Sequence, residues 1–366
     1  MALSKIESQA LDVGQIGGRR NLIINGAMQV AQRGDSSSVS TTTYGGPDRW
    51  RFAYEGSSSV WTLDHSTTSP EGFSNSYKLL CTTADGSQAA SSQVAISQRI
   101  EAQNLQQLSY GASEAKSLTL SFWVRSNQTG TYAVHLYSQD GGRIIGSTYA
   151  ISVADTWEYK TITFAGDTGG TINNDNGIGL EVKFFVSAGS TYRATDNTSW
   201  GAFADGKIGY GQTVDLADTL NNEWYLTGVQ LEVGTVATPF EHISYGEQLA
   251  LCQRYYFRTL PTPSGEVNMI GAGMQYDAGT DKRCVLEFPV RMRAKPTVNV
   301  SNPDEIKYER AGSGLGLLQG LTAARQNPDR TMIYSTSAAT DDGTAGHGTM
   351  FMFTGVNAYI EAIAEL

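Results

Sequence analysis

Six aromatic residues among the first 200 have side chains of the kind that proteins use to bind sugars. Aromatic rings stack on the apolar C–H faces of a sugar, while its hydroxyl groups hydrogen bond to nearby amides and carboxylates. The candidates for a carbohydrate-binding platform are Trp123, Tyr137, Trp157, Tyr159, Tyr192 and Trp200. Because large aromatic side chains are more often buried, the alternative is that several of them fill the inner face of a sheet or a contact between subunits.

The sequence contains no catalytic motif and no metal-binding motif. It lacks the Gly-x-Ser-x-Gly turn, a phosphate-binding loop and the His-Glu-x-x-His motif. The four histidines, His65, His135, His242 and His347, share no local metal-ligand spacing. Paired carboxylates for glycoside hydrolysis depend on their separation in space, so the sequence singles out none. We therefore expect a protein that is not an enzyme and has no cofactor and no metal, with a glycan depolymerase as an open alternative.

Composition and charge exclude several classes of partner. The 366 residues carry a formal charge of −10, and the chain has no cluster of Lys and Arg that could neutralise phosphates, so we expect no nucleic acid. No apolar run approaches the ~18 residues of a membrane helix, which predicts no membrane insertion. The N-terminus lacks the apolar segment of a secretory signal peptide.

Apolar residues alternate along many short segments, as they do in strands with one buried face. One such face comprises Leu118, Leu120, Phe122 and Val124, a second comprises Ile178, Leu180, Val182, Phe184 and Val186, and a third comprises Tyr225, Thr227, Val229, Leu231 and Val233. Turn clusters rich in Gly, Asn and Asp separate these segments. The pattern predicts an all-β, antiparallel sandwich, with short helical turns at 102–108 and 246–253.

A change in composition near residue 255 predicts a second domain. All six tryptophans precede this point, and six of the nine prolines follow it. We expect a short N-terminal arm at 1–20, a main domain at 21–254 and a smaller β domain at 255–366, joined by a stiff proline loop near 261–265. Residues 303–349 are polar and weakly patterned, and are predicted to form distal loops.

Several motifs resemble those of bacteriophage tail-fibre and receptor-binding proteins. They are Asn21–Gly34 followed by Pro47–Trp50, Gln98–Glu101, Trp224–Gly234 and Ala237–Tyr256, with Phe288–Val298 in the distal part. The resemblance implies a jelly-roll sandwich similar to carbohydrate-binding modules, carried on a homotrimeric fibre. It also implies attachment to other phage tail proteins through the N-terminal arm, and a location in the virion tail after synthesis in the host cytoplasm without a signal peptide.

The function expected from these observations is adhesion to a glycan on the host cell surface, without catalysis. A bacterial surface polysaccharide is the expected ligand. A structural tail adaptor that touches no receptor is the main alternative, because the motif residues Trp50, Trp123 and Trp224 lie in strand patterns and Gly26 and Gly234 at turns.

Overall fold

The computed structural model describes residues 19–259, 268–277, 281–309, 315–318, 320–335, 345–355 and 357–366. Residues 1–18 of the expected arm and the proline loop at 261–265 lie outside these ranges. The chain divides into two compact units, of which the first extends to Gln248 and includes Leu366, and the second comprises Leu249–Glu365.

The first unit is an antiparallel sandwich of two sheets, as the alternating patterns predict, and it has the jelly-roll fold that the resemblance implies. Its strands are β1 Ser36–Val39, β2 Thr43–Tyr44, β3 Arg51–Glu55, β4 Val60–Ser66, β5 Ser76–Thr83, β6 Gln93–Glu101, β7 Leu118–Ser126, β8 Gly130–Ser138, β9 Arg143–Ile151, β10 Glu158–Phe164, β11 Ile178–Ala188, β12 Gly201–Ala202 and β13 Glu223–Val233. Sheet I has the strand order β1-β4-β5-β13-β7-β10, and sheet II has the order β12-β9-β8-β11-β6-β3-β2.

The inner faces of sheets I and II share one apolar core. Leu120 and Phe122 of β7 and Leu180, Val182 and Phe184 of β11 belong to this core. Phe122 and Phe184 meet edge to face across it, with ring centroids 5.0 Å apart. The main core of the first unit therefore lies between the two sheets.

The motif residues near the N-terminus fasten the chain to the sandwich. The amide side chain of Asn25 accepts a hydrogen bond from Val30 N and donates to the carbonyl oxygens of Val30 and Asp48. Trp50 is fully buried and its indole N–H donates to Asn25 O over 3.2 Å. These residues therefore have a structural role in the part of the chain that carries the resemblance.

The second unit is a smaller β sandwich. Its strands are β14 Tyr256–Arg258, β15 Asn268–Gln275, β16 Lys282–Glu287, β17 Thr297–Ser301, β18 Ile306–Glu309, β19 Leu315–Leu317, β20 Thr322–Ala324, β21 Arg330–Tyr334, β22 Gly348–Phe353 and β23 Tyr359–Ile363. Sheet III has the order β14-β23-β17 and sheet IV the order β19-β18-β22-β15-β16-β21-β20. Ile360 of sheet III and Phe351 of sheet IV lie in one core.

The prediction that residues 303–349 form loops is wrong for much of the described part of this segment. Strands β18 to β21 and the start of β22 lie in this segment, and Ile306, Tyr308 and Ile333 are buried in the core. Each of the strands β18 to β21 has only three to five residues. An alternation over so few residues gives little periodic signal.

Helices contribute little to the described chain. The helix α1 spans Tyr245–Gln253, and a 3₁₀ helix spans Ala102–Leu108, close to the two predicted helical turns. Among the residues that the structure describes, no helix has the length and apolar character needed to cross a membrane.

Candidate functional site

The six predicted sugar-binding residues fall at three separate places on the first unit, so they do not form one platform. Trp123 and Tyr159 pair on the outer face of sheet I, with ring centroids 5.3 Å apart, and Trp157 packs beside Tyr225 on that face. Tyr137 and Tyr192 line a groove on the outer face of sheet II. Trp200 lines a pocket at one edge of the sandwich. The residues are dispersed because β7 and β10 belong to one sheet and β8 to the other.

The groove on sheet II brings aromatic rings and polar side chains together. We call it the outer groove; it has a volume of about 290 Å³ and is lined by Glu55, Gln93, Arg99, His135, Tyr137, Gln139, Glu181, Lys183, Tyr192, Phe203, Asp205 and Ile208. Strands β6, β8 and β11 form its floor, and the segment that follows β11 supplies Tyr192, Phe203 and Ile208. Tyr137 and Phe203 lie in contact, with ring centroids 4.9 Å apart.

Strand register places the polar floor residues in two adjacent rows. Lys183 of β11 lies opposite His135 of β8, and Glu181 lies opposite Tyr137. On the other side of β11, Glu181 lies opposite Arg99 of β6, whose Nε is 3.3 Å from Glu181 Oε1. Since residues two apart on a strand share a face, these side chains all rise from the same surface of sheet II.

Lys183 is nearly buried at the base of the outer groove. Its ammonium group donates a hydrogen bond to Gln93 Oε1 over 2.6 Å. Burial lowers the pKa of Lys183 to about 8; the nearby Glu181 opposes this shift, and Arg51 adds to it. A lysine ammonium group has three N–H donors. One of those of Lys183 is hydrogen bonded to Gln93, and the others could donate to a hydroxyl group of a ligand.

His135 is uncharged at neutral pH. Burial lowers its pKa to about 4, and the positive charge of Lys183 acts in the same direction. Its Nδ1 lies 2.7 Å from the carbonyl oxygen of Ile208, which can only accept, so we assign the proton to Nδ1. Nε2 is then a hydrogen bond acceptor beside the Lys183 donor.

Glu181 is held as a carboxylate. Burial acts to raise its pKa, but the positive charges of Lys183 and Arg99 outweigh this and hold it below the ordinary value. A general acid for glycoside cleavage needs a raised pKa. The environment of Glu181 therefore suits the binding of sugar hydroxyls better than proton donation.

Sequence reasoning missed most of the floor of the outer groove. Lys183 and Glu181 alternate with the core residues Val182 and Phe184, so the sequence pattern identifies them only as the polar side of a strand. The sequence pattern does not reveal that Lys183 and Glu181 are buried, because their burial depends on the segment that carries Phe203 and Ile208. In the described part of the chain, no group of three or more His, Cys, Asp and Glu side chains could hold a metal ion.

No protein-family model and no curated protein matches the sequence. Among solved structures, the chain is similar to the enzymatically active domain of tailspike protein 4 of bacteriophage CBA120, with 13% identity and a TM-score of 0.34 over 58% of this chain. The match covers 21% of the tailspike chain, so this protein spans about a fifth of that neighbour's length.

Two carbohydrate-binding modules are also similar. One is the family 11 module of the cellulosomal cellulase Lic26A-Cel5E of Clostridium thermocellum, with 13% identity and a TM-score of 0.28 over 56% of this chain and 97% of the module. The other is TmCBM61, solved in complex with β-1,4-galactotriose, with 11% identity and a TM-score of 0.29 over 59% of this chain and 99% of that chain. The likeness concerns the β fold alone.

Proposed function

We propose that this protein is a non-enzymatic phage tail-fibre adhesin that binds a bacterial surface glycan through the outer groove. The observation that supports this most is the combination in one groove of the Tyr137 and Phe203 rings with the Lys183 donor and the His135 acceptor. Saccharide sites combine ring faces with a few fixed polar groups in this way. The tail-fibre role is supported by the resemblance of the sequence motifs, and the homotrimer that the same resemblance implies would multiply weak sites by avidity.

The proposal is tested by binding of the purified chain to an array of bacterial surface polysaccharides. We expect saturable binding to at least one glycan, and a loss of about tenfold in affinity for Tyr137→Ala, equal to about 1.4 kcal/mol. Tyr245→Ala is the matched control, because Tyr245 is an exposed tyrosine outside the outer groove and is not among the predicted sugar-binding residues, and this variant should bind like the wild type.

Three outcomes would contradict the proposal. Absence of binding to any envelope glycan at high avidity would favour the adaptor, which imaging of virions would then place between other tail proteins. Recovery of shortened polysaccharide chains would show that the protein is a depolymerase. Equal binding by Tyr137→Ala and the wild type would exclude the outer groove as the binding site.

A further inference from the structure

A second concave site lies at the edge of the sandwich, away from the outer groove. We call it the edge pocket; its volume is about 440 Å³, and it lies between β9 of sheet II and the end of β10 of sheet I. The loop that carries Thr198, Ser199 and Trp200 lines it on one side, and the loop that carries Asp167 and Thr168 lines it on another. The volume lies within the usual range of small-ligand sites.

A buried ion pair positions a guanidinium in the edge pocket. Arg143 Nε donates to both carboxylate oxygens of Asp167, over 2.9 and 2.8 Å, and the Asp167 side chain is almost fully buried. Gly169 N also donates to this carboxylate. The Arg143 side chain keeps about a quarter of its surface exposed, and no described residue accepts a hydrogen bond from either Nη nitrogen. Arg143 is thus an oriented donor with unused N–H groups.

The Trp200 ring is held in place beside this donor. Its indole N–H donates to the carbonyl oxygen of Ala165 over 2.6 Å, and Tyr110 packs edge-on against it with ring centroids 5.6 Å apart. The loop is fixed to β9 because Gly146 N donates to Asn197 O over 2.7 Å. A Cβ at Gly146 would overlap the Asn197 side chain, whose amide is hydrogen bonded to the Lys207 carbonyl, so glycine favours this close approach.

We propose that the edge pocket is a second saccharide subsite that takes a neutral hexose unit. Trp200 supplies a ring face, Arg143 donates to two sugar hydroxyls, and the hydroxyl groups of Ser147, Thr168, Thr198 and Ser199 line the rim. Among the lining residues only Arg143 and Asp167 are charged, and they neutralise each other, so the pocket favours a neutral sugar over an acidic one. This inference extends the proposed glycan-binding function to a second site and rests on it.

The test is an NMR titration of the full chain that follows the indole N–H signal of Trp200, assigned with Trp200→Phe. The probes are mono- and disaccharides of glucose, galactose, mannose and N-acetylglucosamine, with glucuronic acid as the acidic comparison. We expect a neutral sugar to shift this signal in a saturable manner. Ser199→Phe, which fills the pocket from an exposed position, should weaken that binding by about tenfold, while Ser113→Phe, at an exposed serine elsewhere, should leave it unchanged.

The same titration separates this inference from the proposed function. A Trp200 shift that persists in Tyr137→Ala and is lost in Ser199→Phe supports the second subsite. A Trp200 signal that no neutral sugar moves, or that only glucuronic acid moves, overturns it, whether or not the array shows binding at the outer groove. Binding that Tyr137→Ala abolishes and Ser199→Phe retains would also overturn it, and would leave the proposed function standing.

Discussion

The ionisable side chains on the floor of the outer groove differ in charge because each has different neighbours. His135 is buried and faces Lys183, and these two effects outweigh the opposing effects of the Ile208 carbonyl and Glu181, so its neutral form is favoured. Glu181 faces Lys183 and Arg99, so its charged form is favoured. At neutral pH, the floor thus presents a donor, an uncharged acceptor and a carboxylate side by side.

The buried His135 predicts a loss of stability in acid. Its pKa is about 4 in the folded chain and 6.5 in the unfolded chain. Between these values the unfolded chain binds the proton and the folded chain does not, so the stabilisation present above pH 6.5 is lost as the pH falls toward 4. The full loss is about 3 kcal/mol. Urea unfolding at a series of pH values measures it.

The variant His135→Asn has an amide nitrogen, Nδ2, in the position of the imidazole Nδ1, so it can keep the hydrogen bond to the Ile208 carbonyl but does not titrate. We expect its free energy of unfolding to fall less steeply than that of the wild type over this pH window. His242→Asn removes an exposed histidine instead and should keep the steep acid loss. Parallel curves for the wild type and His135→Asn would show that His135 does not titrate as described.

At the scale of the element, a bulge in β13 changes which of its alternating side chains face the core. The alternation predicts one face with Tyr225, Thr227, Val229, Leu231 and Val233, which is correct from Val229 onward and wrong for Tyr225 and Thr227. The pairing of β13 with β7 shifts between Thr227 and Gln230, and Gly228 within the shift has φ +61°. As a result, Trp224 and Leu226 face the core before the bulge, and Val229 and Leu231 face it afterwards.

Any side chain at position 228 is expected to destabilise the folded chain. A Cβ there would lie 2.7 Å from Phe73 Cζ, and the positive φ is strained for an L residue. We expect Gly228→Ala to lower the free energy of unfolding by about 1–3 kcal/mol. Gly86→Ala is the matched control, since its Cβ meets nothing within 4 Å, and it should change stability little. Equal stability of the two variants, measured by chemical denaturation, would contradict this account of the bulge.

A comparison with the other strands shows how long an alternating pattern must be to predict the core face of a strand. The alternation in β7 and β11 covers nine and eleven residues and predicts the core face correctly from Leu118 to Val124 and from Leu180 to Val186. The strands at 306–334 are too short for this. In β13 the alternation predicts the wrong face for part of the strand because of the bulge, although a glycine within an alternating segment is a recognised sign of a bulge.

At the scale of the molecule, the sequence predicts a β sandwich followed by a second, smaller β domain, but not which surface residues come together. Period-two patterning correctly places Trp123 on the outer side of its strand, opposite Phe122. It cannot say which sheet a strand joins, because sheet order depends on contacts distant in sequence. This is why Tyr137 and Trp123, proposed as neighbours, lie on opposite faces of the sandwich, and why the Arg143–Asp167 pair at the edge was not foreseen.

The measurement that tests the account most directly is a crystal structure of the full chain with an oligosaccharide that it binds on the array. The proposed function predicts a sugar ring against Tyr137 and Phe203, with hydroxyl groups within hydrogen-bonding distance of Lys183 Nζ and His135 Nε2, and with every glycosidic bond intact. An oligosaccharide bound elsewhere on the chain with the outer groove empty, or found cleaved in it, would contradict the account.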